Sequence, residues 1–189
     1  MKNNKIKWER ENGIKLLKKV GIRPGHTVLD FGCGGGNYSI LAAKIVGDEG
    51  KIVALDKNSE KLAELAERMI KEGLDNVTIV KESEDVTIGL KENSIDTVLL
   101  YDVIHLVGKN DSSNKGDRKK LYKEAYRITK KHGLISVYPK HLETHTDVRN
   151  IDEIKKEILN SGFTLEKEFP AKLIHDDSLE IGTILNFRK

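Results

Sequence analysis

A glycine-rich turn carries the strongest chemical signal in this sequence. Four glycines, Gly32, Gly34, Gly35 and Gly36, closely follow Asp30. Glycine adopts left-handed backbone angles and lets a ligand approach the main chain closely. A turn of this kind between a strand and a helix presents backbone N–H groups to a ligand. The alternative is a tight turn that binds no ligand. In that case so many glycines would increase the conformational entropy lost on folding without adding any packing contacts.

A second acidic residue, Asp56, lies 24 residues beyond Gly32, at the end of an apolar run. A carboxylate in that place can accept hydrogen bonds from both hydroxyls of an adenosine ribose. The turn and Asp56 together predict a nucleoside-binding site. A nicotinamide dinucleotide is the rival ligand. Because Asp30 stands close before the first glycine, its negative charge would repel a pyrophosphate and favour a ligand with a positive group.

A third group of polar residues, Asp102 and His105, follows the apolar run 95–101. An imidazole can exchange a proton near neutral pH, so His105 is a candidate general base. The alternative is a histidine that packs beside the ligand or donates one hydrogen bond. Asp102 either caps the next turn or contacts a substrate.

His141, Glu143 and His145 are spaced so that an extended segment would place them on one face. With Asp102 or His175 they form a candidate metal site, although a solvated polar loop explains the spacing equally well, and no metal is assigned. The one cysteine, Cys33, lies inside the glycine turn, where it is expected to be a small buried filler.

The elements that position these residues alternate between strand-like and helix-like segments, which is typical of a parallel sheet covered by helices. Helices are predicted at 8–20, at 38–46, from Asn58 or Ser59, at 118–130 and from Ile151 to Leu159. The third helix has one apolar face, formed by Leu62, Leu65, Ala66, Met69 and Ile70. Strands are predicted at 27–31, 51–56, 77–80, 95–101 and 134–138, and the runs 77–80 and 95–101 are expected to be buried on both faces. Two closing segments, 163–169 and 181–187, have no helix between them and predict an antiparallel pair at the sheet edge.

Composition favours a charged, soluble, globular protein. Of 189 residues, 38% are hydrophobic and 33% charged, and 33 basic residues nearly balance 30 acidic ones. A net charge of +3 gives no argument for a nucleic-acid partner. The N-terminus has no apolar leader and no run is long enough to span a membrane, so one cytoplasmic domain covering 1–189 is expected. Residues 108–116 are expected to form a flexible polar insertion. The oligomeric state stays open, with a homo-oligomer among the options.

Four segments together resemble the class I S-adenosylmethionine-dependent methyltransferases: the turn segment 28–36, the strand 53–56, residues 76–84 and residues 93–101. The likeness runs from about Leu16 to the C-terminus, and it is nearest to small-molecule enzymes related to quinone-biosynthesis C-methyltransferases. The resemblance implies a Rossmann-like, doubly wound, mostly parallel seven-stranded sheet with an antiparallel C-terminal edge strand. It also implies S-adenosylmethionine as the cofactor and a small-molecule acceptor.

The resemblance assigns roles to individual residues. Asp30 and the amides of Gly32 and Gly34 would hold the methionine end, with Asn37 and Tyr38 nearby. Asp56 would bind the ribose and Lys57 would lie along the adenine. Ser83 and Glu84 would address the adenine edge, where many relatives have an aspartate. The backbone of Leu100 or Tyr101 would lie near the transferred methyl group.

Two other functions remain open at this point. The first is a cofactor-binding module without catalysis that serves a protein partner, since no residue is a certain catalyst. The second is an RNA methyltransferase with a Lys-Asp-Lys-Glu set drawn from Asp102, Lys140 and Glu166 or Glu168. The single cysteine argues against cysteine-dependent cytosine methylation and against thiol-ligated arsenite.

Overall fold

The computed structural model of the protein describes residues 7–81, 88–107, 115–140, 150–175 and 178–189. Within these residues the strands are β1 (Thr27–Phe31), β2 (Lys51–Asp56), β3 (Val77–Lys81), β4 (Ile95–Tyr101), β5 (Thr129–Tyr138), β6 (Thr164–His175) and β7 (Ser178–Arg188). They form one seven-stranded sheet in the order β3-β2-β1-β4-β5-β7-β6. β1 to β5 pair in parallel, and β7 runs antiparallel to both β5 and β6.

The described helices begin with a π-helical turn (Glu9–Gly13) that continues into α1 (Ile14–Val20). They continue with α2 (Ser39–Val46), α3 (Ser59–Glu72), α4 (Lys115–Ile128) and α5 (Ile151–Leu159). Asn58 caps α3 by accepting hydrogen bonds from two backbone N–H groups of the first turn, and Asn150 caps α5 in the same way. No helix in the described ranges is both long and apolar enough to cross a bilayer.

Apolar side chains cover both faces of the sheet. One core cluster packs under the N-terminal helices and includes Leu17, Ile40 and Leu65. The other lies under α4 and α5 and includes Leu121 and Ile154. β1 and β4 lie side by side at the centre, and the chain leaves them in opposite directions along the sheet. The parallel sheet covered by helices that the alternation predicted, and the doubly wound, mostly parallel order that the resemblance implied, are therefore confirmed.

One residue of the predicted apolar face of α3 is exposed, and one burial prediction is wrong. Ile70 is 83% exposed, because it lies at the margin of the apolar stripe of α3, whereas Leu62 and Leu65 at the centre of the stripe are buried. β3 is the outermost strand on its side, so Ile79 and Val80 are only half-buried. The same prediction is correct for β4, which has neighbours on both sides and apolar layers above and below it.

β5 begins earlier than its apolar run. The predicted helix ended at residue 130, but α4 ends at Ile128 and β5 starts directly at Thr129. The pairing with β4 shifts between Ile95↔Thr129 and Thr97↔Leu134, and His132 has a left-handed φ of 64° in this bulge. The residues of the bulge are polar, so the hydrophobic pattern alone did not predict that the strand begins there.

The closing antiparallel pair is confirmed and is longer than predicted. β7 lies one position in from the edge and β6 is the outermost strand. Val137 of β5 pairs with Leu185, so the residues of β7 that precede Leu185 extend beyond the carboxyl end of β5. The carboxyl ends of β1, β2, β4 and β5 define the upper edge of the sheet, and the β6–β7 hairpin rises past this edge.

Candidate functional site

The glycine turn, residues Gly32–Gly36, leaves β1 at the upper edge. Gly32 has a φ of +74°, and a Cβ on it would lie 2.3 Å from the side chain of Val103. The N–H groups of Gly32 and Cys33 both donate to the carbonyl of Leu55 in β2, at 2.7 and 3.0 Å. The turn is therefore fixed between β2 and the segment that follows β4, and only glycine fits at position 32.

Gly34 is the member of the turn with open space beside it. Its φ is +51°, and no atom lies within 4 Å of where its Cβ would be. By contrast, a Cβ on Gly36 would lie 2.3 Å from Leu65. The N–H of Gly34 donates to Oδ2 of Asp56 at 2.8 Å. The turn thus presents an accessible stretch of main chain directly beside a carboxylate, which is a suitable cradle for a nucleoside ligand.

Asp56 ends β2 and connects three parts of the site. Oδ1 accepts a hydrogen bond from the N–H of Asn58 at 2.8 Å, while Oδ2 accepts the one from Gly34. A carboxylate has about four lone-pair positions, so two remain for a ligand. The structure places Asp56 against the glycine turn, and the pairing of β1 with β2 in register is the reason.

Asp30 is buried, with 2% of its surface exposed, and accepts a hydrogen bond from the Ser39 hydroxyl at 2.5 Å. Burial raises the pKa of the Asp30 carboxyl from its ordinary 3.8 to about 6, and the charge of Asp56 acts in the same direction. The hydrogen bond from Ser39 lowers the pKa and offsets part of this effect. A carboxylate held in this way is well suited to pair with a cation in the same crevice.

Two tyrosines next to the turn use their hydroxyls inside the protein. The Tyr38 hydroxyl donates to the carbonyl of Ile174 at 3.0 Å and accepts from its N–H at 3.1 Å. The Tyr101 hydroxyl lies 2.9 Å from Oγ of Ser136 in β5. The two rings meet edge to face with centroids 4.8 Å apart. Both hydroxyls therefore have partners inside the protein. Only the rings and the main chain of these two residues can contact a ligand.

Asn37 and Lys57 flank the turn on its outer side. Oδ1 of Asn37 accepts a hydrogen bond from Arg68 at 3.0 Å, and Lys57 is exposed. Arg68 also donates to the carbonyl of Gly35 at 2.8 Å and pairs with Glu9 at 2.9 Å. Arg68 was missed by the sequence reasoning, because it reads as one more charged residue on the polar face of α3.

Asp102 and His105 lie where the sequence placed them, directly after β4. Asp102 has a left-handed φ of 52°, and its N–H donates to the carbonyl of Tyr138 at 3.1 Å. Its carboxylate is 3.4 Å from Nδ1 of His105, which is buried. The carboxylate can hold one ring nitrogen of the imidazole and leave the other to exchange a proton.

Several predicted residues lie outside the described ranges: Ser83, Glu84, His141, Glu143 and His145, together with the side chain of His175. Among the side chains that are described, no cluster of three or more His, Cys, Asp or Glu could hold a metal ion. Cys33 is buried, and burial raises the pKa of its thiol far above the ordinary value. This environment fits a packing residue.

The Lys-Asp-Lys-Glu set is not assembled from the described residues named for it. Glu166 pairs with Arg188, and Glu168 pairs with Lys155 of α5. Both lie on the outermost strand, whereas Asp102 follows β4 near the centre. The expectation failed because two strands separate positions that the sequence alone cannot order.

Fold and site together define a class. A parallel sheet with the order 3-2-1-4-5-7-6, a reversed β7, a glycine turn after β1 and a carboxylate after β2 are the features of class I S-adenosylmethionine-dependent methyltransferases. Residues 22–187 match the family described as "Methyltransferase domain". The chain belongs to this family.

Individual relatives agree with that membership. A demethylmenaquinone methyltransferase of Lactobacillus johnsonii is 29% identical over 138 residues, which are 71% of this chain and 53% of the relative. An arsenite methyltransferase of Halobacterium salinarum is 25% identical over 62% of this chain and 28% of its own. The chain spans about half the length of the demethylmenaquinone relatives it matches. A solved methyltransferase of Aquifex aeolicus has the same fold, with a TM-score of 0.72 and 24% identity over 96% of this chain and 90% of its own.

Proposed function

We propose that the protein is an S-adenosylmethionine-dependent methyltransferase that acts on a small organic molecule. The observation that carries the proposal is the open main chain at Gly34, which lies beside the carboxylate of Asp56 in the turn that follows the buried carboxylate of Asp30. A cation and a ribose on one ligand match this pair of carboxylates. The family membership of the chain supports the same choice.

The residues present fit this cofactor. Asp30 would pair with the amino group of the methionine end, and the open space beside Gly34 would let the ligand approach the main chain. Gly32 would act by fixing the turn, because its N–H donates to Leu55 and the N–H of Gly34 donates to Asp56. The two unused lone-pair positions of Asp56 would accept hydrogen bonds from the ribose hydroxyls. When bound, the cofactor supplies an activated methyl group on a sulfonium, so the protein mainly aligns the acceptor with it.

The other predicted cofactor contacts are kept, but the part of each residue that would touch the cofactor changes where its side chain already has a partner in the protein. Tyr38 would contribute its ring, because its hydroxyl is held by Ile174. Tyr101 would contribute its backbone, and Asn37 would act through its main chain, since Arg68 holds its side chain. Lys57 is exposed and would lie along the adenine. Ser83 and Glu84 keep their proposed role at the adenine edge.

His105, oriented by Asp102, is proposed to remove the proton from the acceptor. An acceptor loses a proton during methyl transfer to oxygen or to an activated carbon, and a buried imidazole held by a carboxylate can take it up. His105→Gln should lower kcat at least about tenfold and leave the affinity for S-adenosylhomocysteine unchanged. An unchanged kcat would assign His105 to packing.

A small organic acceptor is favoured over the alternatives. The one cysteine is buried, so a thiol-based arsenite site has no support in this chain although one relative is an arsenite methyltransferase. The demethylmenaquinone methyltransferase relatives favour an organic acceptor over arsenite. A cytoplasmic location is proposed on the composition of the chain.

Two measurements test this function. Titration of S-adenosylhomocysteine by calorimetry should show binding, and no binding at millimolar ligand would end the proposal. A screen with labelled cofactor against pools of small molecules should then give a methylated product. A chain that binds the ligand but yields no product from any pool would be a binding module that serves another protein.

A further inference from the structure

The hydroxyl of Tyr138 is a buried polar group with no role so far. It is not among the proposed cofactor contacts, and it takes no part in the proposed proton transfer. Tyr138 is the last residue of β5, and 1% of its surface is exposed. In the part of the chain that the structure describes, its hydroxyl has no hydrogen-bond partner. Buried polar groups are nearly always hydrogen-bonded, so an unpaired hydroxyl at a ligand-binding edge indicates a ligand contact.

The Tyr138 ring reaches past the end of its strand. Val137 pairs with Leu185, and Gly182 lies three residues nearer the start of β7, beyond the upper edge. A Cβ on Gly182 would lie 2.2 Å from the ring carbons and 2.8 Å from the hydroxyl of Tyr138. The ring therefore rests on the bare main chain of Gly182, and its hydroxyl lies above the edge where open α/β sheets bind their ligands.

The surroundings of this hydroxyl are negative. Burial, together with the charges of Glu180 and Asp102, raises the pKa of Tyr138 to about 12. Tyr138 therefore stays protonated at neutral pH and acts as a hydrogen-bond donor. Lys140 lies 3.1 Å from Glu180 and balances part of that charge. An anionic ligand would be repelled here, whereas a neutral oxygen atom would be accepted.

The Tyr138 hydroxyl lies within electrostatic reach of Asp102, because the charge of that carboxylate raises its pKa. The N–H of Asp102 donates to the carbonyl of Tyr138, which holds the end of β4 against the end of β5. Asp102 in turn lies 3.4 Å from His105. A ligand that contacts the Tyr138 hydroxyl would therefore lie at the stretch of the upper edge that carries Asp102 and His105.

We propose that the Tyr138 hydroxyl donates a hydrogen bond to the methyl acceptor and thereby selects a neutral molecule that presents an oxygen atom, such as a carbonyl or an un-ionised phenol. This inference rests on the proposed function, because it places the acceptor at the edge where the cofactor binds. It adds the class of acceptor and a positioning residue that the motifs did not indicate.

The test uses 1-naphthol as a neutral probe and 1-naphthoate as its anionic counterpart. Both are titrated into the full chain, with and without saturating S-adenosylhomocysteine. The wild-type protein should bind 1-naphthol and bind 1-naphthoate at least about tenfold more weakly. Tyr138→Phe should weaken binding of 1-naphthol by about 3- to 10-fold, as expected for loss of one neutral hydrogen bond.

Tyr122→Phe is the matched control. Tyr122 of α4 is also fully buried, and its hydroxyl also lacks a partner in the described residues, but it lies in the other core cluster beside the Arg118–Glu157 pair. This variant should bind 1-naphthol as the wild type does. Neither substitution breaks a hydrogen bond of the free protein, so neither should lower the melting temperature.

Three results would overturn the inference: no binding of 1-naphthol to the wild type, equal binding by Tyr138→Phe, or an equal loss in Tyr122→Phe. The titration of S-adenosylhomocysteine reports separately on the proposed function. If that ligand binds and Tyr138→Phe has no effect, only the acceptor contact is wrong. If that ligand fails to bind while 1-naphthol binding still depends on Tyr138, only the cofactor assignment is wrong.

Discussion

Asp30 illustrates how a ligand-binding residue can oppose the stability of the fold around it. Its carboxyl is buried with one hydroxyl partner, and its ionised form lies near the charge of Asp56. Ionisation therefore costs free energy in the folded protein. A bound cationic ligand would offset this unfavourable free energy of ionisation. The destabilisation is therefore expected in the ligand-free protein and not in the complex.

Asp30→Asn should make the protein more stable at neutral pH. The pKa of Asp30 is raised to about 6, so its stabilising contribution is complete below pH 4 and is lost as the pH rises through 6. A shift of this size corresponds to about 3 kcal/mol at pH 7, taking roughly 1.4 kcal/mol per pKa unit. Urea denaturation of both proteins between pH 4 and pH 7 measures the difference. Parallel curves across that range would contradict the prediction.

Asp56 supports both the turn and the proposed ligand. Asp56→Ala removes the acceptor of the Gly34 and Asn58 N–H groups as well as that of the ribose. We expect the affinity for S-adenosylhomocysteine to fall by at least about 100-fold and the free energy of unfolding to fall by about 1 kcal/mol. Calorimetry and urea denaturation measure the two effects.

Two further variants separate these effects. Asp56→Asn keeps one oxygen for the turn and should lose only about tenfold in affinity. Glu72→Gln removes a carboxylate that pairs with Lys44 away from the turn, and it should leave the affinity unchanged. Wild-type affinity in Asp56→Ala would refute the ribose assignment.

At the scale of elements, the outer strand β6 needs protection because no described strand pairs with its free edge. Three features supply it near the upper end of the strand. Pro170 lacks an N–H group, Nε1 of Trp8 donates to the carbonyl of Lys172 at 2.9 Å, and Tyr38 bonds to both backbone groups of Ile174. The N-terminal helical segment and the start of α2 therefore hold the hairpin in place.

Tyr38→Phe should loosen the hairpin and leave the aromatic contact with Tyr101 intact. The change leaves the buried N–H and C=O of Ile174 without their partner, which should cost about 1–3 kcal/mol. Hydrogen exchange of the Ile174 amide should accelerate in parallel with the loss of stability. Unchanged protection of that amide would show that the tyrosine hydroxyl does not hold the hairpin.

Strands with continuous apolar runs and clear end signals were predictable. β1, β2 and β4 have the predicted bounds, because their apolar runs end at turn residues. β5 was not predictable at its start, since the bulge around His132 is polar and owes its strand structure to pairing with β4. The prediction failed where a neighbouring strand, and not the local sequence, decides the conformation.

At the scale of the whole molecule, a bound ligand should stabilise the fold. S-adenosylhomocysteine at about 100 times its Kd should add about 2.7 kcal/mol to the free energy of unfolding. For a chain of this size, that corresponds to a rise of roughly 5–10 °C in melting temperature. NADH at the same concentration is the control and should give no shift. A shift with NADH alone would favour the nicotinamide alternative.

The buried pair of Arg118 and Glu157 joins α4 to α5 by two hydrogen bonds of 3.0 Å. Nothing in the local sequence distinguishes Arg118 from the other basic residues of α4, because the partner lies 39 residues away. The Lys-Asp-Lys-Glu hypothesis failed for the corresponding reason. The sequence does not show which charged side chains form ion pairs, because the partners come together only when the helices and strands pack.

The sequence by itself determined the order of the strands and helices, the glycine turn, the carboxylates of Asp30 and Asp56, and the family of the chain. Each of these depends on residue types at short spacing. Only the tertiary structure decided that Tyr38 and Tyr101 use their hydroxyls internally, that Arg68 braces the turn and that Tyr138 leaves a buried hydroxyl above the sheet. The reason is physical: a hydrogen bond between distant residues forms only where packing brings donor and acceptor within about 3 Å, and chain spacing does not encode that distance.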